Sequence, residues 1–323
     1  MAVCDHCGLA QLVEDPTLPE EARGQEPAAL VAQAAAAVAA VAESGLLPAG
    51  ARFAEFDSPH GGSWRGLLSG QGAIDVSDMS DRADVVVDVF SLMHAADQTS
   101  AMHSRVDRLT NSGLLLLQYH PLHTIVQAGQ WNALRHGHMA YYSTSALTGM
   151  LAQFGLTPGA SWSFPLYGGT VLLAAWRDAR PDAGVRHLLT QDETCGATTA
   201  EYAGQLQKQV LLATHGLRDW LVAARHQGRR VFGYGAASRA VPLLVAADVG
   251  PELLPAIADA ADSKWGRTIP GVRIPIISPT DLIAAEPDSV LLFVPDLLPE
   301  VRRALPQIAE WMVAEPVVAP AAE

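Results

Sequence analysis

The run ADVVVDVF, residues 83–90, constrains this chain more than any other stretch. It has almost no polar face, so a strand built from it needs cover on both sides. A second such run, GLLLLQY at 113–119, follows the two-faced, helix-like segment AADQTSAMHSRVDRLT. Strand, helix and strand in that order make the unit of a parallel sheet packed between helices. ARFAEF and GAIDV read as shorter strands before these runs, and GGTVLLAAWR as the last strand of the half. Residues 28–45 are Ala-rich with helical spacing, and STSALTGMLAQFG opens on Ser and Thr and ends on Gly, the punctuation of a helix. After RDARPDAGVRHLLTQDETCGATT the pattern restarts. A helix of about thirty residues up to Gln227 is expected, then the strand RRVFGYG, the turn GAAS and the helix RAVPLLVAAD. IADAAD, RIPIIS, TDLIAAE, SVLLFVP and a last helix complete a second α/β unit, without a letter-level repeat of the first.

The chain therefore reads as a Rossmann-like α/β domain over residues 28–180 and a second α/β domain over 181–323. Residues 1–27 form a short cysteine-bearing module and linker. With 49% apolar and 17% charged residues it has the makings of a large core. A net charge of −13 argues against nucleic acid, which needs a basic face, but leaves room for a phosphorylated small molecule. Three cysteines make no disulfide framework and suit a reducing cytoplasm. No signal peptide is visible, and VAQAAAAVAAVA is too short to span a bilayer, so no membrane role is expected.

Ligands of open α/β sheets sit beyond the carboxyl ends of the strands. At the first such end AEFDSPHGG places Glu55, Asp57, Ser58 and Gly61, with Gly62 beside it. Asp75, 20 residues beyond Glu55, is a candidate partner for a cofactor ribose. SLMHAAD puts His94 past the second strand, and LRHGHMAYYS puts His136 and His138 after the third. Imidazoles carry protons near neutral pH, and His94 and His138 share one cleft if the strands run the same way. Each also has an ordinary reading as a loop histidine. His120 and His123 read as surface positions. Cys4 and Cys7 supply half of a four-ligand zinc site, which His6 could extend but not complete, so bound zinc is not expected. In the second half Tyr234 and Arg239 flank a Gly-rich turn, and Lys264, Arg267 and Arg273 lie near Trp265. They suit an anionic substrate or plain surface.

Three segments of the last third, FGYGAASRAVPLL, DSKWGRTIPGVRIPIISP and SVLLFVPDLL, resemble the C-terminal domain of the sugar C-methyltransferases of antibiotic deoxysugar pathways. LRHGHMAYYSTSALTGMLAQFGL resembles that family's central signature, and CDHCGLAQL the second half of its zinc module. The resemblance implies a Rossmann-like methyltransferase domain ahead of the second α/β domain, S-adenosylmethionine at the Glu55–Gly61 loop, and a dTDP-linked keto-sugar as substrate. It implies His138 as the base beside the ketone and His94 as a second active-site histidine, with Tyr141 and Tyr142 mainly structural. The chain departs from the pattern in five places. The zinc module has Cys4 and Cys7 without the first CxxC, and EARGQEPAALVAQ stands where the family has a tyrosine-rich segment. Gly137 stands where the family has Glu, Asp57 where it has a small residue, and only GAIDVSDMSD separates the first helix from the next strand. Two other readings stay open: a cofactor-free proton transfer (isomerisation, cyclisation or elimination) through His94 and His138, and a non-catalytic relative that binds a sugar nucleotide or a partner enzyme.

Overall fold

The computed structural model describes residues 1–13, 28–58, 61–79, 81–134, 137–314 and 319–320. The chain divides into two compact units, one taking residues up to Gly204 and the other those from Gln205, with the short stretch around Trp131 belonging to the second.

In the first unit a hairpin of β1 (Ala2–Val3) and β2 (Ala10–Gln11) pairs with β7 (Ala140–Tyr141). The main sheet holds β3 (Arg52–Phe56), β4 (Ile74–Asp75), β5 (Ala83–Val89), β6 (Leu109–Tyr119), β8 (Thr157–Phe164) and β9 (Thr170–Trp176) in the order β4-β3-β5-β6-β9-β8. β4, β3, β5 and β6 run parallel, and β9 and β8 close the edge antiparallel. The order reverses beside β3, so its carboxyl end and that of β5 form the crevice where such sheets bind ligands.

The apolar runs at β5 and β6 are buried on both faces, as their composition requires. One face, with Val85, Val87, Leu114 and Leu116, packs on α1 (Ala28–Glu43) and α2 (Arg65–Gly70). The other, with Val86, Leu115 and Leu117, packs on α3 (Gln98–Asp107), α5 (Thr144–Gln153) and α6 (Ala183–Cys195). Small alanines at positions 34 and 37 bring α1 close to the sheet. α5 starts where its caps predict: the Ser143 hydroxyl accepts the Ala146 N–H. α4 (Leu122–Gln127) and α7 (Ala200–Gly204) complete the unit.

β8 has no counterpart in the sequence reading. TPGASWSF lacks alternation, and its Pro158 and Gly159 read as punctuation. The strand forms because the Gly159 backbone lies under the Trp176 ring, with a register shift between Pro158 and Ala160.

The second unit begins with α8 (Leu206–His226). The expected single helix of thirty residues is instead α7 and α8, interrupted at Gln205 just after the poor helix former Gly204. Its sheet holds β10 (Val231–Tyr234), β11 (Ile257–Ala258), β12 (Ile276–Ile277), β13 (Ser289–Leu292), β14 (Trp311–Val313) and β15 (Ala319–Pro320) in the order β12-β11-β10-β13-β14-β15. All pairings are parallel except β14 with β15. α9 (Ala240–Ala246), α10 (Pro279–Ala284) and α11 (Leu298–Ala304) complete this unit. The chain is thus α/β throughout, a Rossmann-like unit followed by a second α/β unit. Among the described residues no helix is long and apolar enough to cross a membrane.

Candidate active site

β5 ends in a built turn. Asp88 Oδ1 accepts the N–H groups of Ser91 (2.9 Å) and Leu92 (3.0 Å), and Oδ2 lies 2.6 Å from Arg105 Nε of α3. Arg105 also donates to the Ser91 hydroxyl (3.2 Å) and stacks 4.3 Å from the Phe56 ring centroid. The pair is 1% and 6% exposed on its Asp and Arg sides. Phe90 within this turn adopts φ of 56°, a conformation costly for an aromatic residue. A 3-10 turn, Leu92–His94, follows. Gln98 Nε2 donates to the Leu92 and Ala95 carbonyls, while its Oε1 accepts the Tyr142 hydroxyl at 2.5 Å. Tyr142 is therefore structural, and burial holds its hydroxyl well above the ordinary phenol range.

This turn presents His94, and the irregular segment just before β7 presents His138. Met139 N–H donates to the Met93 carbonyl (2.8 Å), tying the two segments together. The rings lie edge to face, with centroids 4.8 Å apart at 85°. His138 is 8% exposed, and His94 is half-buried. His94 Nδ1 lies 2.6 Å from the Gly137 carbonyl. A carbonyl only accepts, so Nδ1 carries the hydrogen and Nε2 is the basic nitrogen of the neutral ring. Gly137 has φ of 82°, which Glu would adopt only with strain. Where the resemblance expects a carboxylate, the chain has a backbone carbonyl, and it serves His94. His136 lies outside the described residues. A small hollow at the tips of β5 and β6 is walled by Asp88, Phe90, Leu92, Met93 and Leu117–Tyr119, with Tyr142 and Leu147. His94 and His138 stand outside those walls.

At the tip of β3 the Glu55 carboxylate accepts the Trp64 N–H (3.0 Å) and the Ser63 hydroxyl (3.0 Å). It thus holds the start of α2 rather than facing solvent, and burial raises its pKa. Asp57 is exposed and Ser58 is buried; Gly61 and Gly62 both have φ of 87°, with open space where a side chain on Gly61 would be. Asp75 ends β4 beside β3, its Oδ1 accepting the Ser77 N–H (2.8 Å) and hydroxyl (2.5 Å). Arg65 reaches Asp57 (3.6 Å), Asp75 (3.9 Å) and Asp78 (3.4 Å). A glycine pair and an acid thus stand on adjacent strand tips of the parallel sheet.

In the second unit Lys264 Nζ donates to Asp259 Oδ2 (3.0 Å) and to the Ala236 carbonyl (3.1 Å). Asp259 also accepts the Ala236 and Ala261 N–H groups. Lys264 therefore clasps the turn after β10. Tyr234 packs edge-on against Trp311, Arg239 Nη1 lies 3.9 Å from Asp296, and Arg267 is exposed.

The structure also corrects the reading of His123. His123 is not a surface residue: it is 5% exposed, with Nδ1 3.1 Å from Asp192, whose other oxygen accepts the Ser145 N–H (2.8 Å). This pair joins α4, α5 and α6. Cys4 and Cys7 are free thiols. Backbone N–H groups of Cys7 and His6 pull the Cys4 thiol down, and burial pushes the Cys7 thiol up. Among the described residues no group of three or more potential ligands converges on a point.

Residues 165–319 match the model of the C-methyltransferase C-terminal domain. C-methyltransferase NovU of Streptomyces niveus is 24% identical over 213 residues, which are 64% of this chain and 50% of NovU. The chain thus spans about half the length of that relative. Among solved structures, magnesium protoporphyrin IX methyltransferase of Synechocystis, with bound SAH, is 16% identical (TM-score 0.33), over 46% of this chain and 83% of that one. N-methyltransferase NodS of Bradyrhizobium japonicum, in complex with SAH, is 13% identical (TM-score 0.36), over 46% and 88% respectively.

Proposed function

We propose that this chain, a divergent member of the C-methyltransferase family, methylates a carbon beside the ketone of a nucleotide-linked keto-deoxysugar. The observation that carries the reading is the meeting of His94 and His138, 44 positions apart in sequence, with ring centroids 4.8 Å apart. His138 is the base: its imidazole takes the proton from the carbon, and the electron pair moves onto the carbonyl oxygen as an enolate. His94, held by the Gly137 carbonyl, offers Nε2 as an acceptor when neutral, and polarises a carbonyl only as the imidazolium. The Gly61–Gly62 loop would hold S-adenosylmethionine, with Asp75 as the candidate partner for its ribose; bound there, the cofactor would supply a methyl to the enolate carbon and leave as S-adenosylhomocysteine. Glu55 shapes that loop by holding Trp64. Natural-product biosynthesis is the proposed setting. Of the second unit's candidates Tyr234, Arg239, Lys264 and Arg267, Lys264 is taken up by Asp259, and the exposed Arg267 is the group left to meet an anionic ligand.

Calorimetric titration of S-adenosylmethionine, together with mass analysis of a dTDP-linked keto-deoxysugar, tests the proposal. Binding below millimolar and a product heavier by one methylene are expected. His138→Ala should lower turnover by about 10²–10⁴ while leaving cofactor binding intact. No heat and no mass gain would remove the reading.

A second reading, cofactor-free proton transfer at the same histidines, is favoured by one observation: Asp75 is already engaged by Ser77 and lies near Arg65. It predicts turnover without S-adenosylmethionine that is lost in His138→Ala.

A further inference from the structure

Two glutamines meet where glutamine has little reason to be. Gln33, on the sheet-facing side of α1, is 7% exposed, and Gln118, near the end of β6, is 2% exposed. Gln118 Nε2 donates to Gln33 Oε1 at 2.7 Å. That bond satisfies half of the pair: Gln33 Nε2 has no acceptor and Gln118 Oε1 has no donor. Exchanging O and N in both amides leaves the same deficit. Thr170, the first residue of β9 and fully buried, has an unpartnered hydroxyl too. Gln118 pairs with Leu172 in the ladder, so Thr170, two positions earlier, lies diagonal to Gln118 on the same face. Buried polar atoms are nearly always paired, and three unpaired ones on one face call for an occupant.

The surroundings place this cluster at the carboxyl edge used above. Phe90 N–H donates to the Gln118 carbonyl (3.1 Å), four residues before His94. α1 packs against the turn Leu166–Gly168. There Tyr167 has φ of 55°, and its ring meets that of Phe90 edge-on at 6.3 Å. Two aromatic residues in a left-handed conformation, touching beside three unsatisfied polar groups, fit the border of a binding site better than that of a plain core.

The missing partner has a definite chemistry. Gln33 Nε2 needs an acceptor and Gln118 Oε1 needs a donor. A hydroxyl supplies both through one oxygen; a carboxylate or phosphate leaves Gln118 unanswered, and an ammonium leaves Gln33 unanswered. We propose that Gln33, Gln118 and Thr170 form a subsite for a ring hydroxyl of the acceptor sugar, bordered by Phe90 and Tyr167. The proposal rests on the sugar-nucleotide reading above and adds to it the residues that select a hydroxylated ring.

The test uses the full chain and the double variant Q33L/Q118L. This variant removes both amides together, so neither is left buried without its partner, and the fold should hold; thermal unfolding checks that. The probes are dTDP and dTDP-4-keto-6-deoxyglucose, titrated by calorimetry. The expected result is unchanged dTDP affinity, with affinity for the keto-sugar nucleotide reduced at least tenfold. Equal affinity of parent and variant for the keto-sugar nucleotide overturns the subsite, assigns the gap to a trapped water, and leaves the function standing. No binding of either probe by the parent up to millimolar overturns the sugar-nucleotide reading and the subsite with it. Should the double variant unfold, Thr170→Val carries the same comparison, with the same two outcomes.

Discussion

Asp88→Asn takes one charge from the turn that carries His94 while keeping the turn's shape. Asn retains Oδ1, so the N–H groups of Ser91 and Leu92 keep their acceptor. What is lost is the anion facing Arg105, in a pair 1% and 6% exposed on its two sides with Nε–Oδ2 of 2.6 Å. An exposed pair contributes about 0–1 kcal/mol, but a buried one leaves an uncompensated charge when a partner goes, costing about 3–5 kcal/mol. Arg105 would keep the Ala101 carbonyl (2.9 Å), the Ser91 hydroxyl (3.2 Å) and the Phe56 ring. These contacts offset part of the loss and place the expectation at the low end, about 3 kcal/mol. Urea unfolding followed by far-UV circular dichroism measures it, with the first unit's transition moving to lower urea. D88N/R105M removes both charges and should recover most of the loss, because no ion is left buried. A cost below about 1 kcal/mol for D88N, or a double variant no better than the single, would refute the argument that this pair holds the turn.

Glu55 gives a pH prediction. Burial raises its folded pKa above the ordinary 4.5, so the native state favours the protonated acid. Its contribution is fully present below pH 4.5 and is lost as pH rises through the folded value. Glu55→Gln, which keeps an acceptor for Trp64, should therefore gain stability relative to the parent above that window; a melting-temperature difference that does not vary with pH would contradict this. Gly159→Ala would put Cβ 2.0 Å from the Trp176 ring, so strand β8 or the indole must shift. A loss of about 1–3 kcal/mol in urea unfolding is expected, and a change within about 0.5 kcal/mol would show that the ring gives way freely.

ADVVVDVF and GLLLLQY were legible as buried parallel strands because burial on both faces leaves its mark on every residue of a strand. Ser143 and Gly155 were legible as the bounds of α5 because capping is a local hydrogen-bonding matter. His94 and His138 were legible as neighbours because parallel strands put all their carboxyl ends on one edge. The partnerships were not legible. Asp88 and Arg105, His123 and Asp192, Gln33 and Gln118, and Asp259 and Lys264 each join elements whose relative placement no local pattern encodes. Lys264 looked available for an anion until the fold brought Asp259 to it. Periodicity records which face of an element turns inward; only the packed structure decides which inward-turned polar groups find one another, because that depends on distances between residues far apart in the chain.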